Sequence, residues 1–229
     1  DLQRQRTELL PPDAPVVQVD IEPAVIGREP TPTLGVVSDA RAFAEVLNAR
    51  LAEAGLPVPE ERLAWVESLV AGISAWHDAW HASTPHNGAL QPQEMVSGLA
   101  DLPADTLYVH GAGDHQFYGM MIPVSAPGGH LVSARLGAMG CALGMALGAK
   151  LERPGQPVIA CAGDGEFVLQ LGDLEPMARE NLGVVVVVFN NFRLGSQRKR
   201  VEAYGAVAGV DHGNPDFAKL AELFGCRGY

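Results

Sequence analysis

The 229-residue chain carries 16 basic against 27 acidic residues, a formal charge of −11, with 47% apolar and 19% charged side chains. That balance describes a globular protein with ample core, and it argues against a nucleic-acid or anionic-membrane partner on electrostatic grounds. Three widely spaced cysteines, Cys141, Cys161 and Cys226, form neither a disulfide frame nor a metal cluster and read as small hydrophobes in a reducing compartment. No leader-like stretch opens the sequence and the longest apolar run, Val184 to Phe189, is far too short for a bilayer, so a cytoplasmic location is expected.

In chain order, residues 1–12 are polar, Val16 to Asp20 reads as a short strand, Ile21-Glu22-Pro23 as a turn and Leu34 to Val37 as a second strand. Ser38-Asp39 stands where a helix cap is expected, before Phe43, Val46, Leu47 and Leu51 at helical spacing, and Gly55 closes that helix. This stretch is expected to be the tail of an α/β domain and not a whole one. Leu56-Pro57-Val58-Pro59 is a linker, and Glu60 to His81 a helix carrying all three tryptophans, Trp65, Trp76 and Trp80. His77 and His81 lie one turn apart on it, a spacing that suits zinc. Asp78 between them is short and no third ligand is evident, so the helix and its aromatic stripe are read as interdomain packing. Ser83 to Leu90 is a turn-rich connection.

A second domain begins with a helix around Pro92 to Leu99 and a strand from Thr106 to His110. Gly111-Ala112-Gly113-Asp114-His115-Gln116 follows, a glycine-rich turn able to present backbone N–H groups to a phosphate, with His115 adding a hydrogen bond. After Leu131-Val132-Ser133 and Leu136-Gly137-Ala138-Met139-Gly140 comes a helix through Leu151, on which Gly140, Gly144 and Gly148 are expected to permit close packing on the sheet. Val158 to Ala162 is a buried parallel strand that runs into Gly163-Asp164-Gly165, then a helical segment, the strand Val184 to Phe189, and Asn190-Asn191. That is one βαβ unit with polar groups at the carboxyl ends of both strands, where open parallel sheets bind ligands. An Asp and an Asn delivered there are hard oxygen ligands for Mg2+, and the glycines let the backbone approach a phosphate. The basic run Arg198-Lys199-Arg200 is either a solvated face or a receiver for an anionic substrate, and Asn214-Pro215-Asp216 starts a last helix through Phe224, closed by Gly225. No Gly-x-Gly-x-x-Gly turn follows a strand, which argues against a dinucleotide oxidoreductase.

Gly163-Asp164-Gly165 followed after twenty-four residues by Asn190-Asn191 resembles the diphosphate and metal motif of thiamine-diphosphate enzymes. Gly111 to Gln116 resembles the Gly-x-Gly-x-His-Gln loop of acetohydroxyacid synthases, and Leu136 to Gly140 their Leu-Gly-Thr-Met-Gly segment. The stretch from Val17 to Ala40 is similar to the end of the middle domain in the pyruvate-oxidase and acetohydroxyacid-synthase group, so the likeness covers roughly residues 14–55 and 90–229. It implies a doubly wound parallel α/β sheet of the thiamine-diphosphate-binding fold, preceded by the tail of a Rossmann-like middle domain. The expected boundaries are 1–55 for that tail, 56–89 for a linker with an interdomain helix, and 90–229 for a diphosphate-binding domain incomplete at its C-terminus.

The resemblance also implies a site. Asp164, the Asn191 side chain and the Arg193 main-chain carbonyl would hold Mg2+. Gly113, His115 and the backbone N–H groups of Gly165, Glu166, Gly195 and Ser196 would meet the diphosphate, with Gly163 and Leu194 lining the same place. The Gly137 carbonyl would accept from the cofactor's aminopyrimidine, and Met139 would be the wedge that bends the cofactor. Four features depart from the pattern: Asp114 beside an expected diphosphate, Glu166 where small residues are usual, Ser196 where a Met adjoins substrate, and the basic run Arg198-Lys199-Arg200. The implied reaction is decarboxylation of a 2-oxo acid with transfer of the acyl carbanion to a second carbonyl, as in acetolactate synthases. The alternatives are a 2-oxo acid decarboxylase, a sulfoacetaldehyde acetyltransferase-like enzyme, or a non-catalytic partner retaining the fold. Thiamine diphosphate and Mg2+ are the implied cofactors, with FAD undetermined. A pyrimidine-binding domain would come from a missing segment or another chain, and a homodimer or homotetramer is expected.

Overall fold

The computed structural model describes residues 13–28, 31–82, 89–125, 128–133, 136–205 and 208–229, without the side chain of His81. The polar opening 1–12, most of the connection after Ser83 and the His77/His81 pairing therefore lie outside the described residues. Two units are distinct, Asp1–Ile73 and Ser74–Tyr229.

In the first unit, β1 (Val17–Asp20) pairs in parallel with β2 (Leu34–Val37), Val17 opposite Leu34. Helix α1 (Ala40–Ala54) follows; the Asp39 side chain caps it by accepting the Ala42 N–H at 3.0 Å, and Gly55 ends it in the left-handed conformation at φ 56°. None of the described residues here is buried, and Val46, Leu47 and Leu51 are exposed. Among the described residues, two strands and one helix are too little to close a core. Helix α2 spans Glu60–His81. Of its tryptophans, Trp65 and Trp76 are exposed, while Trp80 stacks on Trp76 at 6.0 Å and packs against the apolar cluster that contains Tyr108 and Ile122.

The second unit is built on a four-stranded sheet in the order β4-β3-β5-β6, every pair parallel. Its strands are β3 (Leu107–His110), β4 (His130–Val132), β5 (Val158–Gly163) and β6 (Val184–Phe189). Alternation along the central strands sends side chains to two faces. Leu107, Val109, Val158, Ala160, Ala162 and Val184 meet Ala142, Leu143, Ala146 and Leu147 of α5 (Ala142–Glu152) on one face. Tyr108, Ile159 and Cys161 meet Val96 of α3 (Pro92–Ala100) and Ile122, which follows the short α4 (Asp114–Gly119), on the other. Helices on both faces of an open parallel sheet make this a doubly wound α/β fold.

Two expectations need correction. The helix after Met139 starts at Ala142, so Gly140 precedes it, and Gly144 and Gly148 lie exposed, with open space around Gly148. Alanine and leucine, not the glycine row, approach the sheet. The segment between β5 and β6 is broken into α6 (Asp164–Val168), a 3-10 turn at Leu171–Asp173 and α7 (Leu174–Arg179), where Gly172 and Pro176 disfavour one continuous helix. The unit ends with α8 (Gly195–Ala203) and α9 (Phe217–Leu223), whose cap Asp216 accepts the Lys219 N–H at 3.1 Å. Among the described residues no helix is long and apolar enough to cross a membrane.

Candidate functional site

The chain leaves β3 toward β4 on one side and leaves β5 toward β6 on the other, so the strand order reverses between β3 and β5. Ligands of open α/β sheets bind in the crevice at that reversal, beyond the carboxyl ends of the strands. Gly111 to His115 follow β3 and Gly163-Asp164 close β5, so both turns border the crevice.

Asp164 opens α6 with 2% of its surface exposed. Its Oδ1 accepts the Gly165 N–H at 2.8 Å, and its Oδ2 accepts the Phe192 N–H at 2.7 Å and the Asn214 Nδ2–H at 2.8 Å. A carboxylate offers about four lone-pair positions, so these three bonds leave one for a further partner. Asn191 Oδ1 accepts the Arg193 N–H at 3.2 Å and has a second lone pair to offer. Phe192 between them adopts φ 59°, a left-handed conformation that costs a non-glycine residue about 1–2 kcal/mol. Flanking bonds hold it there: Leu194 N–H donates to the Val210 carbonyl at 2.8 Å and His212 N–H to the Phe192 carbonyl at 3.0 Å. In that antiparallel bridge between Arg193 and Asp211 the outer groups are consumed, which leaves the Arg193 carbonyl on the side away from the pairing.

Asn214 binds the arrangement together, because its Nδ2 also donates to Asn190 Oδ1 at 2.8 Å. With its amide nitrogen so used, its Oδ1 is the acceptor for His212 Nδ1 at 3.1 Å. His212 Nε2 is then a buried atom without a hydrogen-bond partner, beside Gly165.

On the β3 side His115 is buried, its ring packed against Gly113 and Gly163. Its Nε2 lies 3.0 Å from Glu166 Oε2, close enough for a charge contact but out of line for a hydrogen bond, so both atoms lack an aligned partner. Glu166 is 1% exposed, and its Oε1 accepts the N–H groups of Gly140 at 3.2 Å and Cys141 at 3.4 Å. Gly137 and Met139 sit in the exposed turn before those groups, with Met139 40% accessible.

The N-terminus of α8 supplies the third wall. Gly195 and Ser196 occupy its first turn, where backbone N–H groups have no intrahelical acceptor. Asp114 lies at the same end, since a β-carbon on Gly195 would stand 2.6 Å from its Oδ2, and Lys199 Nζ faces that oxygen at 3.3 Å. Asp114 is thus partnered by a cation of the protein. Arg198 pairs with Glu202 and Asp211, and those hydrogen bonds raise its pKa while the Arg198 guanidinium lowers that of Asp211.

A carboxylate with one free lone pair, an amide oxygen and a freed carbonyl suit a hard divalent cation, and the first turn of α8 suits an anion. The Gly165 N–H differs from expectation: it is committed to Asp164 Oδ1 and is not free for a diphosphate. Among the described residues no three His, Cys, Asp or Glu side chains cluster as for a zinc site. Sequence reasoning read Asn214 only as the start of a helix, gave His212 no role, and missed what the Glu166 side chain contacts. No local signal identifies them, because the bridge between Arg193 and Asp211 is what brings residues 212–214 to Asp164.

Comparison with known proteins bears on this geometry. Residues 111–229 match the family described as thiamine pyrophosphate enzyme, C-terminal TPP binding domain. The acetolactate synthase of Mycobacterium leprae is 34% identical over 226 residues, and that of Mycobacterium bovis 33% over 226, each spanning 95% of this chain. The acetolactate synthase large subunit of Cyanidium caldarium is 29% identical over 222 residues, 94% of this chain. The chain spans 36–37% of the length of these relatives. The chain belongs to the thiamine-pyrophosphate enzymes, as a member of their C-terminal TPP-binding domain family.

Proposed function

We propose that this chain supplies the diphosphate- and metal-binding half of an acetolactate-synthase-like enzyme, which decarboxylates a small 2-oxo acid and transfers the acyl unit to a second carbonyl. One observation carries the reading: at the strand-order reversal, Asp164 is buried and held by Phe192 and Asn214 with one acceptor position to spare, and the Asn191 amide oxygen, in the residue before Phe192, keeps a lone pair to offer. Asp164, Asn191 and the Arg193 carbonyl are the Mg2+ ligands in this reading, and the first-turn N–H groups of Glu166, Gly195 and Ser196 hold diphosphate oxygens. Asn214 keeps Asp164 aimed, as a partner behind a metal ligand does. Gly113 lets His115 stand at the crevice, and Gly137 and Met139 would lie against the ring system of thiamine diphosphate. Bound thiamine diphosphate supplies the nucleophilic carbon that carries the acyl group from donor to acceptor. The protein's share is to orient that carbon, exclude water and neutralise the diphosphate.

Residues 1–55 are, in the same reading, the end of a middle domain, 56–89 a linker, and 90–229 the diphosphate-binding domain. A pyrimidine-binding domain comes from elsewhere in the protein or another chain, in a homodimer or homotetramer. The likeness to acetolactate synthases supports the carboligation reading over plain decarboxylation. Isothermal calorimetry with thiamine diphosphate and Mg2+ tests it. Binding that needs Mg2+ and disappears in Asp164→Ala is the expected result. No binding by the folded chain, with or without co-purifying polypeptide, overturns the assignment.

A further inference from the structure

Glu166 lies one residue beyond Gly165, yet its side chain turns away from the metal ligands to the start of α5. There its Oε1 accepts the N–H groups of Gly140 and Cys141, while Gln170, one turn further on, accepts the Leu143 N–H at 2.8 Å through Oε1. Orphan N–H groups and the positive end of the macrodipole make a helix start an anion site. The start of α5 is therefore already taken by a carboxylate and an amide of the protein itself. The other oxygen, Oε2, lies 3.0 Å from His115 Nε2. The same carboxylate lies against Gly111, where a β-carbon would come within 1.6–1.9 Å of its atoms.

A buried carboxylate carries a large desolvation cost, which its two backbone donors and His115 offset only when all are in place. Three segments meet at this one group: the turn after β3, the turn bearing Gly137 and Met139, and the turn bearing Asp164. We infer that Glu166 is a positioning residue that locks the His115 turn and the Gly137–Cys141 turn to the metal-bearing turn. Through the 3.0 Å charge contact of its Oε2, and not an aligned hydrogen bond, it favours the proton of His115 on Nε2 over a bare lone pair facing the carboxylate. The His115 Nδ1, packed against Gly113 and Gly163, is thereby left as an acceptor and not a donor. This role rests on the thiamine-diphosphate reading of the crevice, since it concerns what the two turns present to that cofactor.

The test reads the His115 tautomer directly from ring nitrogen shifts by NMR at pH 8, in the chain without cofactor, assigned through His115→Asn. Wild type shows the Nε2–H form. In Glu166→Gln an amide can place N–H toward His115 Nε2 while its oxygen still caps Gly140 and Cys141, and the tautomer moves to Nδ1–H. Affinity for Mg2+–thiamine diphosphate falls roughly 10-fold, the lower end for loss of a supporting partner. If the Gln variant does not fold, Glu166→Asp is read in the same way; it keeps the charge but withdraws it from His115. An unchanged tautomer and unchanged affinity in a folded variant overturn the role of Glu166 alone. Failure of the wild type to bind the cofactor overturns the reading of the crevice instead.

Discussion

Acidification tests how the second unit buries His110. This residue ends β3 with none of its surface exposed, and its Nε2 lies 2.9 Å from His130 Nδ1. His130 Nε2 lies 2.9 Å from the Ile122 carbonyl, which can only accept, so that nitrogen carries the proton and His130 Nδ1 is the acceptor. His110 Nε2 therefore donates, and its Nδ1 is a bare, buried lone pair without a partner, hard against Gly119. Burial first, then His130 and His115, push the His110 imidazole down to about 3 from 6.5. The fold keeps it neutral while the unfolded chain takes up a proton near 6.5. The stabilisation is thus complete above pH 6.5 and is lost as pH falls from there toward 3. Each pH unit in that window removes about 1.4 kcal/mol, or about 2 kcal/mol by pH 5.

Urea unfolding followed by far-UV circular dichroism at pH 8, 7, 6 and 5 measures this loss. His110→Gln keeps a donor for His130 and cannot charge, so its stability falls less steeply below pH 6.5, and the wild-type-minus-variant difference isolates His110 from other titrating groups. Parallel curves for the two proteins would refute a neutral, buried His110.

Two further substitutions probe the crevice. Asn214→Ala removes the bond to Asp164 and the one to Asn190; Mg2+–thiamine diphosphate affinity measured by calorimetry is expected to fall about 10–100-fold, and an unchanged affinity would remove Asn214 from the site. Gly111→Ala must evict the Glu166 carboxylate from Gly140 and Cys141, with an expected loss of about 1–3 kcal/mol in urea unfolding. Combined with Glu166→Ala the loss should be much smaller than the sum of the two, because the clash and the bonds share one side chain; strict additivity would show that the two positions do not meet.

Periodicity located most elements of the second unit. The strand at Val184–Phe189 matches the apolar run, and β5 extends its own run by Gly163 alone. Asp39 and Asp216 cap the helices that follow them through bonds to residues three further on, a purely local effect. Misreadings arose where tertiary packing outweighs local pattern. Gly140, Gly144 and Gly148 share a spacing, but Ala142, Leu143, Ala146 and Leu147 face the sheet, because small and branched apolar side chains gain from burial and glycine gains nothing.

The amino-acid sequence by itself determined that a parallel α/β sheet delivers an acid after one strand and an amide after the next. Strand type, turn residues and spacing are near-neighbour properties of the chain. Only the tertiary structure decided what surrounds that acid. Asn214 reaches Asp164 across fifty positions, and Glu166 joins turns that follow two other strands. Such contacts depend on strand order and on the bridge between Arg193 and Asp211, through which packing places residues distant in sequence within hydrogen-bond reach.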